Sequence, residues 1–298
     1  MGAITLTGTM DPRRFDPGKC TIISWNVNGL HQRHSMNQFL PVFRHNPDIV
    51  CVQETKTAGK GIPKDLRRVP GYTCYSDEER REKNTEVALF SKQEPDRVSF
   101  GFGNTPFDDE GRILIAEYET FTLMNMYFPL GIGPADTLEH KLAFYDAFIT
   151  YVSNRNNEPQ NLVVCGDFSI AHTSSDIAKP VKKNTQRAGI TLQEREKLDQ
   201  LITAGFSDTF RIFNNANGHY SWWPNGFSLD ERRLGWRLDY FFVNAFVRPY
   251  VTGTEMLAWY EGSDHCPVMM EMEVPKKIFR GKSCVHELVR KPGTGIPS

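Results

Sequence analysis

Residues 21–29 read TIISWNVNG, a short run of β-branched and apolar residues that stops at polar side chains and a glycine. Such a run favours a strand, and asparagine with glycine marks a turn. The same arrangement recurs in residues 48–56, DIVCVQETK, and in residues 161–169, NLVVCGDFS. Apolar strands that end repeatedly at a carboxylate or an amide indicate buried strands whose polar ends form one site.

Ten segments have the composition of strands, and two have the period of helices. In residues 137–153, apolar side chains recur on one face at helical spacing. In residues 191–204, Thr191 and Glu194 form a T-x-x-E capping box, and Gly205 ends the helix. About ten strands exceed one comfortable open sheet, so we predict an α/β fold of two packed sheets flanked by helices. The predicted strands cover residues 21–24, 48–53, 87–91, 112–118, 122–128, 161–165, 219–223, 238–244, 251–257 and 268–274, and the fourth and fifth form a hairpin.

The composition is that of a globular protein. Of 298 residues, 39% are hydrophobic and 24% are charged, which excludes collagen, coiled-coil and disordered chains. No apolar run approaches the roughly 20 residues that cross a bilayer. The first 20 residues are charged and lack a long apolar stretch, so they do not resemble a secretory signal. An intracellular protein without a membrane segment is expected.

Charge says little about partners. The formal net charge is −1, whereas a protein that binds nucleic acid through bulk charge is normally basic. A polyanionic partner would therefore meet a local basic patch or a metal ion. Solvated loops are the simpler interpretation of either patch taken alone. The two candidate patches contain Lys56, Lys60, Lys64, Arg67 and Arg68, and Lys179, Lys182, Lys183 and Arg187.

The six cysteines predict neither a zinc site nor a disulfide framework. None forms a C-x-x-C pair, and Cys51 and Cys165 lie inside apolar strand-type runs. Reduced thiols are therefore expected.

One domain accounts for the centre of the chain, which contains no repeat, low-complexity tract or Pro/Gly linker. We expect an N-terminal extension over residues 1–19, a core domain over residues 20–275, and a basic C-terminal extension over residues 276–298. A disordered tail is the commoner meaning of such a basic end.

The polar residues at the predicted strand ends suit one kind of chemistry. Glu54, Asp167, Asp264 and Asn26 supply hard oxygen ligands, which suit Mg²⁺ or Mn²⁺ and not zinc. His265 adds a group that titrates near neutral pH, and a carboxylate remote in sequence is expected to orient it. A hard cation with a histidine–carboxylate pair and amide donors is suited to cleaving a phosphodiester with water.

Five motifs occur in a recognisable order: WNVNGL at residues 25–30, QETK at 53–56, GD at 166–167, GWRLDYFFV at 235–243 and GSDHCP at 262–267. With them, the chain from Thr21 to Val274 resembles the exonuclease III-type apurinic/apyrimidinic (AP) endonuclease family of the endonuclease/exonuclease/phosphatase superfamily. All branches of the superfamily share QE and SDH. The long GWRLDYFFV string together with SWW is typical of the DNA-repair branch.

The resemblance implies a four-layered α/β sandwich, two packed mixed β-sheets flanked by helices, with the site at one rim. Glu54 would hold Mg²⁺, for which Mn²⁺ would substitute, assisted by Asn26 and Asp264. Asp167 would position or activate the attacking water and contribute to the metal site. Asn26 and Ser169 would complete the catalytic set.

The resemblance also implies residues that bind the substrate. His265, oriented by Asp239, would bind the scissile phosphate and stabilise its developing charge. Tyr127, within Tyr-Phe-Pro, would donate its hydroxyl to that phosphate, and Lys56 would contact the DNA. A further three residues, Trp222, Trp236 and Leu238, match the family's apolar pocket for an extrahelical sugar that lacks its base.

Taken singly, many of these residues have a simpler structural interpretation. Trp222 and Trp236 would be core aromatics, and Asn28 and His172 are interpreted as residues that fix loops. The ordered set of motifs favours the functional interpretation for Glu54, Asp167, Asp239, Asp264 and His265.

Three departures from the family pattern lie on the expected substrate face. Ser169 replaces the Asn of Gly-Asp-x-Asn, and loss of one such donor costs on the order of 3 kcal/mol, or about a hundredfold in rate. Leu130 replaces an amide after Tyr-x-Pro. The segment Lys83-Asn84-Thr85-Glu86 replaces Gly-Tyr-Ser-Gly, which removes an aromatic ring and adds a negative charge near a polyanion.

The predicted function is therefore a Mg²⁺-dependent DNA-repair phosphodiesterase, a class II AP endonuclease that cuts 5′ to abasic sites. The resemblance adds 3′→5′ exonuclease or 3′-phosphodiesterase activity, with impairment by Ser169. Double-stranded DNA with abasic or 3′-blocked sites is the expected partner of a monomer located with the DNA, in the nucleoid or the nucleus. The alternatives are an inactive or weak DNA-binding relative and, behind it, a phosphodiesterase of the superfamily that acts on phospholipids.

Overall fold

The described part of the chain contains twelve strands and four α-helices. The computed structural model describes residues 18–57, 60–77, 86–103, 105–133, 137–156, 160–178, 187–224 and 234–274. The strands are β1 Cys20–Asn26, β2 Ile49–Gln53, β3 Thr73–Ser76, β4 Val87–Ser91, β5 Arg97–Phe100, β6 Ile113–Glu117, β7 Thr122–Tyr127, β8 Leu162–Asp167, β9 Phe206–Asp208, β10 Asp239–Asn244, β11 Val251–Met256 and β12 Val268–Met272. The α-helices are α1 Leu30–Ser35, α2 Leu138–Asn156, α3 Leu192–Thr203 and α4 Thr209–Phe213.

The strands form two mixed six-stranded sheets. One has the order β11-β12-β1-β2-β4-β3 and the other the order β5-β6-β7-β8-β10-β9. The pairs β1–β2 and β7–β8 are parallel, so the ends of all four strands lie at corresponding edges of their sheets. The other pairs are antiparallel, including the predicted hairpin β6–β7. The predicted fold class is confirmed.

Alternation along the strands separates the hydrophobic core into layers. Ile22 of β1 and Val163 of β8 belong to a cluster between the two sheets. The next residue of β8, Val164, belongs to a second cluster with Phe144 of α2, on the outer face of its sheet. Ile23 of β1 contributes to a third cluster, which includes α1 and covers the other sheet. Two sheets with helical segments on both outer faces make four layers, as predicted.

Most predicted elements are confirmed, with shifts of a few residues at their ends. The helix predicted over residues 137–153 ends at Asn156, and the capping box of α3 is formed by Thr191 and Glu194 as predicted. The strand predicted over residues 219–223 is wrong. Trp222 makes only isolated bridges there, to Trp236 and His265. A following proline, which lacks an N–H donor, ends such pairing. The sequence analysis missed β3, β5, β9, α1 and α4, all of them short.

Several predictions lie partly outside the described residues. Both terminal extensions fall there, except residues 18 and 19, and so the domain boundaries stay predictions. Of the basic patch in residues 179–187, only Arg187 is described. Five cysteines lie in the described part of the chain, and all five are free thiols, as expected. No described helix has the length and hydropathy needed to cross a membrane.

A buried ion-pair network fixes the segment that leads into β10. Arg237 Nε lies 2.7 Å from Asp176 Oδ1, and Arg237 Nη2 lies 2.7 Å from Asp208 Oδ2. Arg211 also contacts Asp176, at 2.5 Å. Burial raises the pKa of Asp176, but the two arginines outweigh it and hold that pKa at about 2, against an ordinary value of 3.8. The network therefore stabilises the neighbours of Arg237, which belong to the candidate site.

We expect Asp176→Asn to lower the free energy of unfolding at pH 7 by about 2 kcal/mol, the equivalent of the shift in its pKa. The pKa of Asp176 is lower in the folded than in the unfolded protein. Its contribution is therefore complete above the unfolded value and is lost as the pH falls toward the folded value. Urea unfolding at pH 7, 5, 4 and 3 should show the two proteins converging below pH 4. If the difference in free energy of unfolding between the two proteins stayed constant over this pH range, the lowered pKa of Asp176 would be contradicted.

Candidate active site

The strand ends bring the predicted residues to one edge of the sandwich. Asn26 ends β1, Glu54 follows β2, and Asp167 ends β8. Asp239, the first residue of β10, pairs with Asp167 in the antiparallel ladder. Tyr127, the last residue of β7, pairs with Asp167 on the other side. Three adjacent strands of one sheet and two of the other therefore converge on this site.

Four residues of the site adopt the left-handed backbone conformation, which is costly for side chains other than glycine. Their φ angles are 45° at Asn28, 49° at Glu54, 49° at Lys56 and 52° at Ser169. Asparagine tolerates this conformation better than most residues. Such strain persists only where the surrounding contacts determine it, which is common at functional sites.

Asn26 joins the carboxylates of the two sheets. Its Nδ2 donates to Glu54 Oε1 at 3.0 Å and to Asp167 Oδ2 at 2.9 Å, and its Oδ1 accepts from the backbone N–H of Asn28 at 3.0 Å. The Tyr127 hydroxyl also donates to Glu54 Oε1, at 2.9 Å. In this arrangement Asn26 presents its amino group to the carboxylates, and its predicted metal ligation stays a prediction.

A buried histidine–carboxylate pair lies beside this network. His265 Nδ1 is 2.8 Å from Asp239 Oδ2, and its Nε2 is 3.7 Å from Asp167 Oδ2. Burial lowers the pKa of His265, but Asp239 and Asp167 outweigh it and raise that pKa to about 10. Burial raises the pKa of Asp167 to about 7, with further contributions from Asp239 and Glu54 and an opposing one from His265. The structure therefore places Asp239, a carboxylate remote in sequence, in contact with His265, and its orienting role stays a prediction.

Asp264 is held at the site by side-chain hydrogen bonds. Its Oδ1 accepts from Asn28 Nδ2 at 2.8 Å, and its Oδ2 accepts from Trp222 Nε1 at 3.0 Å. Lys56 Nζ contacts Asn28 Oδ1 at 2.5 Å and Glu54 Oε2 at 2.8 Å. A chain of contacts through Asn28 therefore connects Asp264 with Glu54.

The aromatic residues of the predicted pocket form a separate apolar cluster next to these polar groups. Trp236 and Leu238 are buried in it together with Ala171 and Ile190, and Trp222 packs against it. The rings of Trp222 and Trp236 meet edge to face, with centroids 5.5 Å apart. The structure therefore brings the three predicted pocket residues together, beside the indole that contacts Asp264.

Ser169, the main departure from the family pattern, is buried against Asp167. Its backbone N–H donates to Asp167 Oδ1 at 2.7 Å, and its hydroxyl donates to the same oxygen at 3.1 Å. Its carbonyl accepts from Lys141 Nζ at 2.8 Å, and this buried lysine pairs with Glu194 at 2.7 Å. The serine is therefore held firmly, with its hydroxyl directed to the carboxylate.

The other departures lie around the site. Leu130, which is 42% exposed, lies in the loop that follows Tyr127, the last residue of β7. Glu86 is partly buried; burial, then Glu54, raises its pKa. Asn84 and Thr85 lie outside the described residues.

The donor set of the site fits a hard divalent cation. Ligand atoms of Asp167, Asp239 and His265 all lie within 4.8 Å of one another. Asp239 Oδ1 is buried and accepts no hydrogen bond from the described residues. The ammonium group of Lys56 is already held at Glu54 Oε2, which shows that this carboxylate accepts a cation. Carboxylate oxygens suit Mg²⁺ and Mn²⁺, so the carboxylates at this edge form a candidate metal site, whereas the protonated His265 supplies no ligand atom.

Three further residues support the site, and of these the sequence singles out only Asn28. Asn28, predicted to fix a loop, connects Asp264 with Lys56 through its amide. Ser263 Oγ donates to Asn26 O at 2.7 Å, and Trp25 Nε1 donates to His265 O at 3.0 Å. Ser263 and Trp25 both lie inside the quoted motifs, and membership in a motif is the only feature of the sequence that indicates their role. His172, by contrast, contacts Asp199 at 2.8 Å, consistent with its predicted structural role.

Comparison with known proteins decides the family. The sequence profile of the Endonuclease/Exonuclease/phosphatase family matches residues 23–265, a range that runs from β1 to the buried histidine. The chain belongs to this family. The family assignment agrees with the two-sheet fold and with the position of the candidate site at the strand ends.

Relatives within the family have names from DNA repair. The chain is 34% identical over 256 residues to DNA repair nuclease APEX1 of Danio rerio, covering 85% of this chain and 82% of the relative. It is 33% identical over 255 residues to an exodeoxyribonuclease of Bacillus subtilis (strain 168), covering 85% and 99%. It is 38% identical to recombination repair protein 1 of Drosophila melanogaster over 252 residues, 83% of this chain, but spans only 36% of that longer relative.

A solved AP endonuclease from Archaeoglobus fulgidus superimposes with a TM-score of 0.73 at 25% identity, covering 84% of this chain and 98% of the other. The predicted resemblance to the AP endonuclease and exodeoxyribonuclease branch of the Endonuclease/Exonuclease/phosphatase family is thereby confirmed.

Proposed function

We propose that this family member is a Mg²⁺-dependent DNA-repair nuclease that hydrolyses the backbone 5′ to an abasic site. The observation that carries the proposal is the buried His265–Asp239 pair, 2.8 Å long, placed beside Asp167 and next to the cluster of Trp222 and Trp236. Names of the relatives, among them a DNA repair nuclease and an exodeoxyribonuclease, support DNA as the substrate. The same site would remove nucleotides or blocking groups from 3′ ends.

The proposed reaction is an in-line displacement at phosphorus. A water molecule attacks, the bond from phosphorus to the 3′ oxygen breaks, and the products are a 3′-hydroxyl and a 5′-phosphate on the baseless sugar. Glu54, Asp264, Asp167 and Asn26 are the proposed residues around Mg²⁺, or Mn²⁺ in its place. When bound, the cation supplies Lewis-acid stabilisation of the charge that develops on the phosphate and the leaving oxygen.

The protein's own groups position the reactants. Asp167, held by Asn26 and by Ser169, is proposed to orient and deprotonate the water. His265 keeps its proton at neutral pH because its pKa is raised to about 10. It directs Nδ1 to Asp239, which leaves Nε2 to bind the scissile phosphate. The Tyr127 hydroxyl, which now contacts Glu54, would donate to the same phosphate.

Substrate selection is assigned to the aromatic cluster and to Lys56. The edge-to-face indoles of Trp222 and Trp236, with Leu238, offer an apolar surface to a sugar that has rotated out of the helix. A sugar without a base needs no unstacking and leaves no polar base edge unpaired, so it is preferred. Lys56, whose side chain is 52% exposed, would meet the backbone phosphates at the mouth of the site.

A second candidate function, a DNA-binding relative with little catalysis, is favoured by one observation. The hydroxyl of Ser169 donates to Asp167 Oδ1. The donor that replaces the amide of the family asparagine is therefore not directed at the substrate. A monomeric state and a location with the DNA remain predictions.

The test uses a labelled duplex that contains one tetrahydrofuran abasic analogue. We expect incision immediately 5′ to the analogue with Mg²⁺ and none with excess chelator. Without the cation, the negative carboxylates of the site do not stabilise the negative charge that develops on the phosphate. Glu54→Ala should lose at least about a hundredfold in rate, in line with removal of a preorganised electrostatic group. An undamaged duplex of the same sequence, without the analogue, is the substrate control.

Three outcomes would count against the proposal. Binding of the abasic duplex with no incision at any Mg²⁺ or Mn²⁺ concentration would favour the second candidate. Full activity of Glu54→Ala, or incision that persists in chelator, would remove the proposed metal site.

A further inference from the structure

Arg187 is a cationic residue that has no role in the proposed mechanism. The centre of its guanidinium lies 4.6 Å from the ring of Trp236, within cation–π distance. The side chain is exposed, and among the described residues no carboxylate forms an ion pair with it. An exposed arginine normally moves freely among rotamers, whereas this one is held against the apolar cluster.

A rigid turn positions Arg187. The backbone N–H of Ile190 donates to Arg187 O at 3.2 Å, and Gly189 O accepts from the backbone N–H of Ala171 at 2.8 Å. The carboxylate of Glu194 accepts from the backbone N–H of Gly189 at 2.8 Å. The turn is therefore tied both to the loop that follows Ser169 and to the start of α3.

The close approach of this turn to Trp236 depends on glycine. A Cβ atom added at Gly189 would lie 3.1 Å from Ser169 O and 3.2 Å from the Trp236 ring, and φ at Gly189 is +86°. A larger residue would therefore push the turn away from the tryptophan. Arg187 is thus presented at the edge of the same cluster that contains Leu238 and contacts Trp222.

We propose that Arg187 binds the DNA phosphate next to the sugar that occupies the aromatic cluster. This inference rests on the proposed function, since it takes damaged duplex DNA as the ligand. A guanidinium held over the face of a ring still has N–H donors free for a phosphate, which accepts two of them. Because the contact with Trp236 already restrains the side chain, less rotamer entropy is lost on binding than for a free arginine.

The chemistry also accounts for specificity. A phosphate bound by Arg187 and a sugar placed against Trp236 are neighbours along one strand, so both contacts form only when a nucleotide has left the helix. Undamaged duplex, with its sugars stacked in place, would not form this pair of contacts. Arg187 therefore adds affinity chiefly for the damaged strand, while a phosphate contact elsewhere on the surface would add affinity for any duplex.

The experiment is fluorescence anisotropy with labelled duplexes in excess chelator, so that binding is measured without turnover. The tetrahydrofuran duplex and its undamaged counterpart are titrated with wild type, Arg187→Ala and Arg187→Lys at four salt concentrations. Arg248→Ala is the matched control. Arg248 is also an exposed arginine, but it lies beyond Asn244, at the end of β10 away from Asp239.

We expect Arg187→Ala to weaken binding of the abasic duplex about tenfold, and to reduce the slope of log Kd against log salt by about 0.9, the loss of one phosphate contact. Its effect on undamaged duplex should be at least threefold smaller. Arg187→Lys keeps the charge but not the planar stack. It should preserve the slope and lose affinity by a few fold. Arg248→Ala should match wild type on both duplexes.

Three results would overturn the inference: an unchanged salt slope in Arg187→Ala, an equal loss on both duplexes, or an equal loss in Arg248→Ala. Failure of wild type to bind the abasic duplex would overturn it as well. Wild type that binds but does not cut in Mg²⁺ would refute only the nuclease proposal, because the anisotropy comparison does not depend on catalysis. Thermal unfolding of each variant shows whether the fold is retained.

Discussion

Ser169→Asn is expected to raise the rate of incision at an abasic site by up to about a hundredfold, the value of one preorganised donor. The backbone at this position favours the change, because φ is 52° and asparagine adopts the left-handed conformation more readily than serine. The backbone N–H of residue 169 would still donate to Asp167, so the carboxylate would keep its shorter hydrogen bond, now 2.7 Å. Single-turnover incision of the tetrahydrofuran duplex, with enzyme in excess, measures the chemical step.

Ser169→Ala is the matched control for this gain. It removes the hydroxyl that donates to Asp167 at 3.1 Å but adds no amide. We expect a rate no higher than that of wild type, together with a small loss of stability. If alanine raised the rate above wild type as much as asparagine did, the serine hydroxyl itself would be inhibitory. If asparagine gave no gain while urea unfolding showed a native fold, Ser169 would not be the impaired element.

The site was predictable where strand composition and residue chemistry coincide. Asp167 ends a buried strand and Asp239 begins another, and the antiparallel pairing of β8 with β10 brings them together. Any fold that pairs these two strands antiparallel in this register places both carboxylates at the same edge. The sequence could not give the partner of each oxygen. That depends on loops, such as the one in which Asn28 adopts a left-handed conformation and reaches Asp264.

Two of the missed strands share a physical cause. β3 and β5 are four-residue edge strands with partly exposed side chains, so they lack the continuous apolar run of a buried strand. Residues 219–223 have strand composition but pair only through Trp222, because tertiary contacts decide whether an aromatic segment forms a ladder. The contact of Arg187 with Trp236 joins two loops that no periodicity relates, and only the folded chain reveals it.

His265→Gln is expected to lower the incision rate by about a thousandfold or more, within the range for loss of a positioned acid–base or electrostatic group. Glutamine keeps a polar side chain with an amide donor beside Asp239, but it carries no charge toward the phosphate. This choice matters because His265→Ala would leave the Asp239 carboxylate buried and unpaired, which destabilises proteins by about 3–5 kcal/mol. His172→Gln is the control, since that histidine pairs with Asp199 outside the site. Incision by His265→Gln within tenfold of wild type, with His172→Gln unchanged, would show that the buried imidazole does not stabilise the transition state.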